Sequence, residues 1–172
     1  RGADWNDGLD MANDRGESVA FTALYGGNMR NLAKNIKAYE EKTGKNTITL
    51  AKEILILIDA DKSIYNSIGD KHAVLDEYCE SVKHIISGEK VEVPCDKLID
   101  VLNGMSDWIG NHIRKTEWLS DKDGYSWFNG YYDNSGKAVE GDFETGVRMM
   151  LTGQVFAIMS ETATKEQVAE IV

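Results

Sequence analysis

The chain is long enough for one domain with a buried core, and its acidity limits the classes of partner it binds. Its 172 residues include 29 Asp and Glu against 19 Lys and Arg, a net charge of −10. That charge disfavours nucleic acid and anionic membrane surfaces as partners. No apolar run approaches bilayer length and no signal peptide is apparent, so we expect a cytoplasmic protein.

The first ten residues carry the most distinctive motif in the chain. Asp4 and Asp7 stand three residues apart, with Trp5 and Asn6 between them and glycines on either side. An indole face suits the stacking of a sugar ring, and carboxylates and amides make directional hydrogen bonds to hydroxyls. A carboxyl beside a bulky aromatic ring loses hydration, which raises its pKa and suits it to donate a proton. The residue types also fit a second interpretation, an acidic turn that caps a helix.

The motif resembles the signature of glycoside hydrolase family 94, the cellobiose and chitobiose phosphorylases. The match covers about the first twenty residues in two runs, Gly2-Ala3-Asp4-Trp5-Asn6-Asp7-Gly8-Leu9-Asp10 and Arg15-Gly16-Glu17-Ser18-Val19. The resemblance implies that Asp7 is the general acid and that Trp5 lies in the sugar site. Asp4 and Asn6 would then bind sugar hydroxyls or orient Asp7.

Four helices are predicted after the motif, because apolar residues recur three and four positions apart. Their predicted bounds are 17–42, 47–67, 71–87 and 96–119. The centre of the second, 54–58, is apolar on all sides, which is typical of a helix buried between other layers. A short extended link is predicted at 90–93.

The sequence period changes at 125–132, where aromatic residues are densest. Residues 133–136 predict a turn, and 137–139 a returning hairpin arm. We take Trp127 and Tyr131 as candidate substrate-binding residues, because aromatic rings near amides and carboxylates suit carbohydrate. The alternative is that these rings cover the end of a helical barrel.

The resemblance extends to this region in a weaker form. Family members carry a Trp-aromatic pair and then a Tyr/Phe-Asp-x-Gly turn, which Trp127-Phe128 and Tyr131-Tyr132-Asp133 match. Asn129-Gly130 replaces the Arg common between them, which leaves the acceptor-sugar contacts unassigned. The family next places an acidic residue shortly before a helix that carries Gln. Glu144 and Gln154 are the nearest candidates and complete the predicted substrate-binding set.

Two more helices are predicted, at 145–160 and after the capping box formed by Thr164 and Gln167. By resemblance the fold is mainly α and part of an (α/α)6 barrel, with a short β hairpin near the active-site rim. We predict one partial catalytic domain over 1–172, completed by the remainder of the same enzyme chain. Residues 48–122 have no counterpart in the family pattern and are a candidate helical insertion.

Cysteine and histidine spacing indicates no metal or redox unit. Cys79 and Cys95 are too far apart for a CxxC pair and fit reduced thiols of an intracellular protein. The three histidines show no HExxH or paired spacing. We therefore expect no cofactor and no metal. The family resemblance implies inorganic phosphate as co-substrate.

The activity that the resemblance implies is that of an inverting, glycosyltransferase-type phosphorylase. Asp7 would protonate the glycosidic oxygen of a β-linked gluco-disaccharide or oligosaccharide, and phosphate would attack the anomeric carbon to form a sugar 1-phosphate. An inverting hydrolase that uses water, and a non-catalytic helical module that binds carbohydrate or protein, are the alternatives. We expect the isolated chain to be inactive; a homodimer is an open option.

Overall fold

The computed structural model describes residues 9–171, and helix accounts for 57% of the structure, which confirms the predicted mainly α class. Within this range the helices are α1 Val19–Thr43, α2 Leu55–Ile58, α3 Ile68–Val82, α4 Cys95–Thr116, α5 Leu151–Met159 and α6 Lys165–Ile171. The strands are β1 Glu17–Ser18, β2 Thr47–Ala51, β3 Lys90–Pro94, β4 Trp118–Ser120, β5 Ser126–Phe128, β6 Tyr131–Tyr132, β7 Gly141–Phe143 and β8 Gly146–Arg148. They form antiparallel pairs, β1 with β6, β2 with β3, β4 with β5 and β7 with β8.

The chain divides into two compact units. The first joins the described residues up to Arg30 with those from Met105 onward, and the second is Asn31–Gly104. The predicted insertion, 48–122, therefore includes most of the second unit and part of the first. Its origin as an insertion, like the single-domain assignment, stays a prediction.

Small residues allow close packing in the first unit. Ala20 and Ala23 of α1 are buried, and each belongs to an apolar cluster of this unit. A Cβ atom built on Gly27 would lie 2.8 Å from the Cα atom of Ser160, at the end of α5. Glycine at position 27 therefore permits the close approach of α1 to the end of α5.

We expect Gly27→Ala to lower the free energy of unfolding by about 1–3 kcal/mol, since the added methyl meets backbone that must shift. The clash outweighs the gain of about 1 kcal/mol in helix propensity. Gly69→Ala in α3 is the control, because a Cβ atom there meets nothing within 4 Å. Urea unfolding compares the two; a Gly27→Ala protein as stable as wild type would contradict the packing role.

The helix predicted over 47–67 is wrong. Its first part is β2, and the extended link predicted at 90–93 is the partner strand β3, in register from Thr47 opposite Pro94 to Ala51 opposite Lys90. The sequence alternates: Ile48 and Leu50 pack on a buried cluster around Val93, whereas the hydroxyls of Thr47 and Thr49 donate to the Glu92 carboxylate. The apolar run yields only α2, whose residues are half-buried.

The other helices are confirmed with different ends. α1 begins at Val19 because the Ser18 hydroxyl accepts the backbone N–H of Phe21 at 3.1 Å, which caps the helix. α5 begins only at Leu151, since residues 141–148 form the β7–β8 hairpin instead of its predicted first turns. The capping box is present: Thr164 N donates to Gln167 Oε1 at 3.0 Å, and Gln167 N to Thr164 Oγ1 at 3.2 Å.

No helix among residues 9–171 combines the length and apolar character needed to cross a bilayer.

Candidate functional site

The residues of the predicted catalytic motif, Asp4, Trp5, Asn6 and Asp7, lie outside the described residues. Their roles therefore stay predictions. The described residues begin at Leu9, the second residue after Asp7, and show what holds the segment that follows.

One side chain binds three consecutive backbone amides of that segment. The side-chain oxygen of Asn134 accepts the N–H groups of Asp14, Arg15 and Gly16 at 3.0, 2.7 and 3.1 Å. The backbone N–H of Asn134 in turn donates to the carbonyl of Met11 at 2.8 Å. Consecutive amides that converge on one point are an arrangement by which backbone binds anions. Here the protein supplies the acceptor itself.

The next residues pair with the aromatic segment. Glu17 lies opposite Tyr132 and Ser18 opposite Tyr131 in the β1–β6 ladder. The carbonyl of Gly130 accepts the first free N–H groups of α1, from Val19 at 2.9 Å and the following residue at 3.2 Å. Two stretches that are far apart in the sequence, and that both carry the family resemblance, are thus neighbours in the fold.

The candidate aromatic residues lie in the core. Tyr131 is 0% exposed and packs in the cluster that contains Leu9 and Ala12, and Trp127 is 2% exposed. Neither ring offers an open face for stacking, which favours a structural role for these rings in the core. The Tyr131 hydroxyl and the Trp127 indole N–H have no hydrogen-bond partner among the described residues. Substrate contact by either residue stays a prediction.

Gln154 is buried, and its side-chain amide is hydrogen-bonded to the backbone of β5. Its amide nitrogen donates to the carbonyls of Phe128 at 2.8 Å and Met150 at 3.2 Å, and its oxygen accepts Phe128 N–H at 2.8 Å. Both amide hydrogens are therefore used within the protein. A substrate could accept a hydrogen bond from the Gln154 amide only by displacing one of these two carbonyls.

Glu144 is exposed, in the turn between β7 and β8. The buried acid of this region is Glu140, which sequence reasoning missed. Its carboxylate oxygens accept the backbone N–H of Gly130 at 2.7 Å and of Met150 at 2.8 Å. Burial raises the pKa of Glu140 to about 7, although these two hydrogen bonds act in the opposite direction. A Cβ atom on Gly130 would lie 2.8 Å from a Glu140 oxygen, so glycine is required for this approach.

A second buried acid, Glu117, was also missed. It accepts the Asn129 side-chain amide at 2.9 Å, the Tyr132 hydroxyl at 2.8 Å and the Thr116 hydroxyl at 3.0 Å. Burial, followed by the hydrogen bond and charge of Glu117, raises the pKa of Tyr132 to about 12. Two buried carboxylates thus fix residues 129–132, the segment against which β1 lies.

Neither acid has a local sequence signal, since the partners that mark each as buried lie ten or more positions away. Among residues 9–171 no group of three or more His, Cys, Asp or Glu side chains is placed to hold a metal ion. No model of a known protein family matches the chain, and no curated protein sequence matches it.

Proposed function

We propose that this chain is part of an inverting glycoside phosphorylase that acts on β-linked gluco-disaccharides or oligosaccharides. Asp7 gives its proton to the glycosidic oxygen as the bond to the anomeric carbon breaks. Inorganic phosphate forms the new bond from the opposite face, so a sugar 1-phosphate of inverted configuration and a free acceptor sugar leave. Trp5 holds the donor ring, and Asp4 and Asn6 bind hydroxyls or orient Asp7.

The observation that carries the proposal is the pairing of β1 with β6. The resemblance rests on two distant stretches, the motif with its Gly-Glu-Ser-Val continuation and the aromatic segment before Asp133. The β1–β6 ladder and the Asn134 bonds join their described parts. If the N-terminal match had arisen by chance, there would be no reason to expect the two stretches to pair.

Phosphorolysis and inverting hydrolysis differ in the number of carboxylates that each reaction requires. Inverting hydrolysis needs a second carboxylate to activate water, about 6.5–9.5 Å from the acid. The buried carboxylates of the described residues, Glu117 and Glu140, are both hydrogen-bonded to protein donors. Phosphate is a nucleophile at neutral pH without a base, so one acid suffices.

For the whole enzyme we propose an (α/α)6 barrel, to which this chain contributes several helices. The remainder of the enzyme chain supplies the other helices and the phosphate site. The turn at 133–136 and its short hairpin then lie near the active-site rim.

Phosphate dependence separates this function from its alternatives. The intact enzyme should convert a β-linked gluco-disaccharide only when inorganic phosphate is present, and ³¹P NMR should show an α-configured sugar 1-phosphate. Equal release of reducing sugar without phosphate would identify a hydrolase. A change in tryptophan fluorescence with sugar but no product under either condition would identify a binding module.

A further inference from the structure

We infer that Asn134 is a positioning residue that fixes the loop 9–16, which follows the proposed acid Asp7 in the chain, an inference that rests on the proposed function. Its side-chain oxygen binds the amides of Asp14, Arg15 and Gly16, and its own N–H binds Met11. These contacts span the stretch that begins four residues after Asp7. Asn134 would act on catalysis through this backbone, without touching substrate.

Among the described residues, the loop is also held by the Asn134 side-chain amide, which donates to Asn13 Oδ1 at 3.2 Å, and by apolar packing at its start. Met11 and Asn13 to Arg15 are exposed, and Leu9 and Ala12 contribute the buried side chains at its start. Gly16 turns back on Ala12 so closely that a Cβ atom there would lie 2.4 Å from that residue. The loop is therefore compact, and Asn134 fixes it to the hairpin turn.

The turn that carries Asn134 is ordered by its own bonds. One carboxylate oxygen of Asp133 accepts Ser135 N at 2.8 Å, the Ser135 hydroxyl at 2.7 Å and Lys137 N at 2.9 Å. The hydrogen bond from Ser135, then the one from the Lys137 backbone, lowers the pKa of Asp133, so the carboxylate stays charged at neutral pH. These three bonds hold the backbone on either side of Asn134.

Two substitutions at Asn134 separate the oxygen from the side-chain volume. Asn134→Leu keeps the approximate shape and removes the acceptor, whereas Asn134→Asp keeps an oxygen for all three amides. Asn134 is not among the described non-glycine residues with positive φ, so either side chain fits the backbone. Asn134→Ala serves in place of Leu if the leucine variant aggregates.

In the intact enzyme we expect Asn134→Leu to lower kcat about 10- to 100-fold with KM changed less than about threefold, because a small misplacement of a catalytic group is costly. Asn134→Asp should keep kcat within about threefold of wild type. Hydrogen exchange should show lost protection of the Asp14–Gly16 amides in Asn134→Leu and retained protection in Asn134→Asp. The kinetic split and the rescue would not follow from a general loss of stability.

Two results would overturn the inference: wild-type protection of the three amides in Asn134→Leu, or a wild-type kcat when that protection is lost. Failure of the proposed function shows itself differently. In that case wild type forms no sugar 1-phosphate, or Asp7→Asn keeps its activity, while hydrogen exchange still decides whether Asn134 holds the loop.

Discussion

Replacing Asp7 with Asn in the intact enzyme is expected to lower phosphorolysis by about 10²–10⁴-fold, the usual contribution of a general acid. The amide has nearly the same shape as the carboxylic acid, but it cannot give a proton to the glycosidic oxygen. The acceptor sugar would then have to leave as an alkoxide. Initial rates of sugar 1-phosphate formation measure the loss, and a rate within tenfold of wild type would remove Asp7 from this role.

Asp4→Asn is the matched control, since it makes the same chemical change three residues away in the same motif. We expect it to raise KM if Asp4 binds hydroxyls, and to lower kcat if Asp4 orients Asp7. In wild type, kcat should fall at high pH as the acid loses its proton. Asp7→Asn should lack that fall, and Asp4→Asn should keep it.

The second large effect concerns stability and comes from Glu140. We expect the contribution of Glu140 to the free energy of unfolding to fall by about 3 kcal/mol as the pH rises from about 4.5 to about 7, and then to level off. The pKa of Glu140 is raised from 4.5 to about 7 in the folded protein. Within that window the native state binds a proton that the unfolded state has released, so raising the pH favours unfolding.

Urea unfolding at pH 5 and pH 8 tests this, with Glu140→Gln to remove the titrating group. The amide is expected to weaken the bond to Gly130 or to Met150 by a constant amount, so only the difference between the two pH values is compared. Glu144→Gln, an exposed acid four residues away, should behave as wild type. An equal pH dependence in wild type and Glu140→Gln would show that Glu140 does not titrate in this range.

Local structure was predicted correctly from the sequence where a few adjacent residues determine it. The capping box at Thr164 and Gln167 and the turn at 133–136 were identified from a few adjacent residues, and both form as expected. The 47–67 helix failed because its first part is stabilised by a strand some forty residues later in the chain. Half-burial of Ile48 and Leu50 against Val93 decides that segment, and no local pattern reports it.

Prediction of the described part of the candidate site was limited even more by contacts between residues far apart in the sequence. Glu140 and Glu144 look alike in the sequence, and only the approach of Gly130 and Met150 makes Glu140 the buried acid. Asn134 reads as an ordinary turn residue, because its partners precede it by more than a hundred positions. The aromatic segment was recognised as distinctive, but its two possible roles, core and sugar contact, differ only in burial.

The proton that Asp7 is proposed to donate is tested most directly by changing the leaving group. A 2,4-dinitrophenyl β-glucoside releases a phenolate that needs no protonation, unlike the sugar of a disaccharide. For Asp7→Asn we predict a loss of about 10²–10⁴-fold on the disaccharide and of less than about tenfold on the aryl glucoside. Equal losses on both substrates would contradict proton donation by Asp7.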